Sequence, residues 1–293
     1  MKHPDFLRLF SVDKKRTRDM RARSIIYIFA GLLLVQFSCR KDRSTKPGDP
    51  VNVIASGKSI YSDSVFYINN SSSKYLVNPV KNEAGSYSCV PLGLELDQVT
   101  GEIDVNKSET GLKYKVTFTP DDGSEPKTSD IVISGLNYMD KIYNLSAGDS
   151  IAPAIYNADS HLNIPGAGST AIFDEGGGCR NAGIVIDGRN AEINLAQTIR
   201  NQGIDTGATQ EVKLAYRIND NSRAALNGLN VKIYFYRDAS EIPQYLSALL
   251  IERKNTIITS SVPKGRLVIN SLAVNKTQQL SRPRPPCIVV VSR

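Results

Sequence analysis

The chain of 293 residues has no tryptophan, two histidines and four cysteines. Each scarcity closes a class of chemistry. Without Trp the sequence lacks the broad flat ring on which sugars commonly stack. His3 stands almost at the start, so His161 is the only histidine in the rest of the chain. One imidazole and scattered carboxylates do not make a zinc or iron site, and neither a metal nor another cofactor is expected. The cysteines are Cys39, Cys89, Cys179 and Cys287, with no C-x-x-C spacing. Setting Cys39 apart leaves an odd number, which argues against a disulfide framework. A single Cys179–Cys287 bridge and three buried free thiols both stay open, because pairing geometry cannot be read from sequence.

Long apolar runs are scarce too. The one that stands out is sixteen residues from Ser24 to Cys39, SIIYIFAGLLLVQFSC. A helix needs about 20 residues to cross a bilayer, so this run is short for a span. Arg21 and Arg23 precede it, and Arg40, Lys41, Asp42 and Arg43 follow, which is the layout of an export signal. It ends in Cys39 after the small Ser38 and thereby resembles a bacterial lipoprotein signal peptide, although Gln36 and Phe37 depart from the strict pattern. The resemblance implies a signal peptide over 1–38, a lipid on Cys39 as the link to the membrane, and a polar tether over 39–50. It also implies a cell-envelope address, at the outer membrane or cell surface. Residues 1–19 make the basic leader unusually long, so Met20 is the expected true start.

The formal charge of +7 is localised. Twelve of the 36 basic and five of the 29 acidic residues fall within 1–50. The 24 basic and 24 acidic residues that remain cancel, leaving no electrostatic footprint for nucleic acid in the folded part.

Downstream of the tether, 243 residues suffice for two cores, since domains usually hold about 100–150 residues. Over 51–147 short runs rich in Val, Ile, Tyr and Thr alternate with turn residues. Leu112, Tyr114, Val116 and Phe118 interleave with Lys113, Lys115, Thr117 and Thr119, the period of a strand with one buried face. Residues 93–118, GLELDQVTGEIDVNKSETGLKYKVTF, resemble the immunoglobulin-like, or cadherin-like, modules of bacterial surface proteins. The matching positions are Gly93, Leu94, Leu96, Asp97, Thr100, Gly101, Ile103, Gly111, Tyr114 and Val116, whereas Asp104-Val105-Asn106 replaces the usual Gly-x-Pro. The resemblance implies a β-sandwich. It also brings calcium into consideration at Asp104, Asp140 and Asn219-Asp220-Asn221, although the latter run reads equally as a turn.

Residues 148–293 read as an α+β domain with a mostly antiparallel sheet and one or two helices, so the chain as a whole is expected to be mainly β. Strands are expected near 171–173, 183–186, 212–218, 231–236, 267–269 and 287–291. A short helix through Ile193, Ala196 and Ile199 is expected to stop at Gly203. The strongest helix carries the stripe Ile242, Tyr245, Leu246, Leu249 and Leu250, with Ser240 as N-cap and Pro243 in the first turn.

Three constellations bear on function. Asp174-Glu175-Gly176-Gly177-Gly178-Cys179 is Gly-rich, and Cys179 with His161 would form a nucleophile and base if the fold joined them. Tyr234 and Tyr236 fall on one side of their strand as a candidate sugar platform, or as a surface covered by the next element. No motif specifies an enzyme. The resemblances imply a non-enzymatic envelope lipoprotein for adhesion, display or assembly with other envelope proteins. Polysaccharide binding and an uncharacterised hydrolase are the alternatives.

Overall fold

The computed structural model describes residues 59–70, 74–202, 206–254 and 284–293. The leader, Cys39, the tether, Gly203 and the strand expected at 267–269 lie outside the described residues. The fold is mainly β, with few helices, and antiparallel pairing prevails.

Six strands build the first part: Val65–Phe66 (β1), Leu76–Val77 (β2), Gly85–Val90 (β3), Ile103–Asp104 (β4), Leu112–Pro120 (β5) and Lys127–Ile133 (β6). The alternation in β5 buries Leu112, Tyr114, Val116 and Phe118 on one face. β3 and β6 flank it antiparallel, and β1 adds in parallel to β6, giving the order β1-β6-β5-β3. Leu94, Leu96, Ile103 and Val105 close the other side of this core at zero exposure. Their layer turns at Asp97, whose Oδ1 accepts the N–H groups of Val99 and Thr100 at 2.8 and 2.9 Å. Gly101 completes the turn at φ +73°, and Leu96 then bridges Ile103.

The remaining strands are Leu136–Asn137 (β7), Lys141–Asn144 (β8), Ile151–Ala152 (β9), Ile155–Tyr156 (β10), Ile172–Phe173 (β11), Ile193–Asn194 (β12), Thr209–Arg217 (β13), Asn227–Tyr236 (β14) and Cys287–Val291 (β15). Helices are Gly178–Asn181 (α1), Leu195–Gln202 (α2) and Gln244–Arg253 (α3). The main sheet runs β11-β13-β14-β15-β8. Expected to be mostly antiparallel, it is antiparallel from β11 to β14 and parallel from β14 to β8. β15, with parallel neighbours on both sides, is buried at all five residues, which is why it reads CIVVV without alternation. Residues 183–186 supply only a bridge between Ile186 and Ile193.

The change of core does not fall at 147/148. Ile133 belongs to the first core, whereas Leu136, Tyr138 and Tyr143 belong to the second. β8, placed by the sequence in the first domain, is the edge of the main sheet, while Ile155 and Ala225 return to the first core. The described residues fall within one compact unit, 54–293. The composition shift near 147 has a local cause. Asn144 caps a 3₁₀ turn, Leu145–Ala147, accepting from the N–H groups of Ser146 and Ala147, and Gly148 ends it at φ +81°.

α3 also starts differently from expectation. The carboxylate of Asp238 takes the N–H of Ser240 and sets a 3₁₀ turn, Ala239–Glu241. Ile242 is then extended, as a residue before proline prefers, so Pro243 rather than Ser240 occupies the N-cap.

Candidate functional site

Where the first layers meet the main sheet, a cleft of about 510 Å³ opens. Asn69, Asn106, Glu109 and Thr110 line one side, and Lys213, Asn227 and Gly228 the other. Asn69, in a loop, and Asn106, in the 3₁₀ turn Val105–Lys107, face each other from segments 37 residues apart. The N–H of Asn69 donates to Asn106 Oδ1 at 3.1 Å, and Asn106 Nδ2 donates to Asn69 Oδ1 at 2.9 Å. Deeper in, Thr110 Oγ1 donates to Asn227 Oδ1 at 3.2 Å. Its single proton is thereby used, so Tyr216 donates to Thr110 across 3.2 Å while accepting the N–H of Leu136 at 2.9 Å. This chain of donors fixes the floor of the cleft to the buried Tyr216, whose hydroxyl burial pushes up to about 12.

Glu109 is the most perturbed acid on the wall. Burial pushes its carboxyl up to about 7, against the opposing pull of Arg284 and Arg253 and with a smaller push from Asp140. Oε2 accepts the backbone N–H of Arg284 at 2.7 Å. Below about 4.5 the carboxyl is protonated in both folded and unfolded chains. As pH rises toward 7 the unfolded chain ionises first, so this group removes stability across that window. Glu109→Gln should abolish that loss: between pH 5 and 7.5 the urea midpoint of the native chain should fall relative to the variant's. A constant difference between the two would refute the assignment.

Behind Glu109 lies a buried ionic cluster. Asp140 Oδ2 accepts from Arg284 Nη2 at 2.9 Å, and its Oδ1 accepts the N–H of Cys287 at 2.7 Å. Arg253 stands 3.6 Å from Asp140 and donates to the carbonyl of Pro285 at 2.8 Å. The cluster joins α3, the start of β15 and the residue before β8.

The residues singled out in the sequence lie elsewhere. Tyr234 and Tyr236 share a face, but α3 covers it. Tyr236 is only 5% exposed and packs with Leu246, and Tyr234 is half-buried beside it. The expected platform is therefore an interior contact, because the apolar stripe of α3 takes that side of the sheet. Cys179 is fully buried, and burial with Asp174 beside it pushes its thiol up to about 12. His161 is 91% exposed and bonded to Asp159 at 3.0 Å, so the two do not form a nucleophile and base. The Gly-rich loop serves the fold: Asp174 accepts the N–H groups of Cys179 and Arg180, and Glu175 holds Arg217 through two hydrogen bonds. Cys89, Cys179 and Cys287 are free buried thiols. Cys179 sits in the core on one face of the main sheet and Cys287 under α3 on the other.

The calcium candidates are not gathered. Asp140 is saturated by arginines, and Asp220 accepts from Ser134, Tyr156 and the N–H of Ser222. Among the described residues no group of three or more metal-ligating side chains occurs.

No protein-family model matches the chain, and no curated protein does either. Among solved structures it has a likeness to a SusE-like surface-located polysaccharide-binding protein from the Bacteroides thetaiotaomicron heparin utilisation locus. The identity is 14% and the TM-score 0.23, over 60% of this chain and 34% of that one. The chain thus spans about a third of that protein's length, and a TM-score of this size does not establish a common fold.

The cleft residues escaped sequence reasoning because each is an ordinary polar residue in its own segment. One signal was available. Gly228 interrupts the strand run leading to Tyr236, and a glycine inside a strand marks a close approach.

Proposed function

We propose that the protein is a non-catalytic binding protein of the cell envelope, held to a membrane by a lipid on Cys39, and that its cleft takes a polysaccharide. The observation that carries the reading is the lining. Amides, hydroxyls, a carboxyl and an ammonium converge from two layers of one compact unit on a cleft large enough for a sugar residue or two. Such groups match sugar hydroxyls, donor to acceptor, without needing an aromatic platform. Ile68, Ala215 and Leu226 line the cleft beside these polar groups, but no aromatic ring among the described residues does. A polysaccharide is preferred to a protein partner because a protein interface core is built on aromatic anchors. With both cores locked into one unit, a separate stalk and contact surface are not needed.

A glycan array probed with the purified chain tests the reading. Binding should be weakened about tenfold by Asn106→Ala, the loss of one or two buried polar contacts. Binding that Asn106→Ala leaves intact would move the site elsewhere, and a blank array would remove the polysaccharide reading. The anchor is tested separately, by incorporation of a clickable palmitate analogue into the native chain and its absence in Cys39→Ala. Equal labelling of the two would refute it.

A further inference from the structure

The main sheet carries three lysines. Lys141 is paired with Asp149 at 2.8 Å and Lys232 with Glu211 at 3.2 Å. Lys213, on β13, has no carboxylate partner among the described residues, yet it lines the cleft. Gly228 leaves room for its far end: a Cβ on Gly228 would stand 2.3 Å from Lys213 Cε and 3.3 Å from Nζ and would push the ammonium aside. Glu109, on the opposite side, already accepts from the backbone of Arg284 and makes no ion pair with Lys213. An ammonium with no carboxylate partner among the described residues, laid across bare backbone in a polar cleft, is matched by an anion on the ligand.

We infer that the cleft is specific for an acidic saccharide, one bearing a carboxylate or sulfate, with Lys213 meeting the anionic group and Gly228 leaving room for the lysine. This rests on the polysaccharide reading and narrows it. Lys213 acts here as a specificity-determining residue, and Glu109 and the amides are left for the hydroxyls.

Isothermal titration of the full chain with three tetrasaccharides tests it: a uronic-acid one, a sulfated one and an unsubstituted neutral one. At least one acidic probe should bind about tenfold tighter than the neutral probe, and which one identifies the anion. Lys213→Ala should remove that advantage, bringing the acidic probes to the level of the neutral one, while Lys213→Arg should keep most of it. Added salt should weaken the acidic probe alone. Gly228→Ala should act like Lys213→Ala without loss of thermal stability, because the lysine's far end can swing aside. Equal affinity for acidic and neutral probes, or an acidic preference that survives Lys213→Ala, would overturn the inference and spare the cleft. Binding to none of the three would also overturn it, and together with a blank glycan array would remove the polysaccharide reading as well.

Discussion

Replacing Asp140 by alanine should destabilise the protein by about 3–5 kcal/mol, the usual consequence of removing one partner from a buried ion pair. Its side chain is only 2% exposed, and that of Arg284 only 6%. The carboxylate does two things at once. It neutralises Arg284, and it accepts the N–H of Cys287, the first residue of β15. β15 lies between β14 and β8, with Ile288 opposite Lys141, the residue after Asp140. The substitution therefore takes the Asp140 carboxylate away from a buried guanidinium and loosens the parallel side of the sheet together. For a unit of this size each kcal/mol lowers Tm by about 2–4 °C, so a fall of at least about 6 °C is expected. Asp140→Asn, which keeps an acceptor for Cys287, should fall less. A change under about 1 kcal/mol for the alanine variant would mean that the cluster is solvated.

Gly111→Ala is the second large effect. Gly111 has φ +72°, and a Cβ there would stand 2.2 Å from the carbonyl oxygen of Leu136 and 2.4 Å from its carbon. Both are backbone atoms of β7, so no side chain can swing away to relieve the clash. Left-handed strain of about 1–2 kcal/mol adds to about 1–3 kcal/mol of overpacking, and chemical denaturation should show a loss of about 2–5 kcal/mol. Gly123 is the internal comparison. It has φ +78° with open space around it, so Gly123→Ala should show the strain alone. Equal losses at the two positions would show that the approach of β7 to Gly111 does not matter.

The strands were legible where burial is one-sided. In β5, β13 and β14 the side-chain period of two exposes the buried face directly, and the stripe of α3 does the same at helical spacing. Partners were not legible, because periodicity tells which residues share a face and not what covers it. Tyr234 and Tyr236 were thus correctly placed together, but whether water or Leu246 lay above them depended on where α3 folds. The parallel pairing of β8 with β15 joins residues more than 140 positions apart, and no local signal specifies such a pair. The two-domain split at 147/148 rests on the change of composition near 147, and this pairing crosses it. The cleft was invisible for the same reason. Asn69, Asn106, Lys213 and Asn227 acquire meaning only when two layers bring them together.

The most direct test of a saccharide-binding cleft is a two-dimensional amide spectrum of the labelled chain, titrated with whichever oligosaccharide binds. The side-chain NH₂ signals of Asn69, Asn106 and Asn227 should shift first and furthest, with the backbone N–H of Gly228 beside them. Shifts confined to the outer face of α3 around Tyr245 and Ile251, with those amides unmoved, would contradict the account.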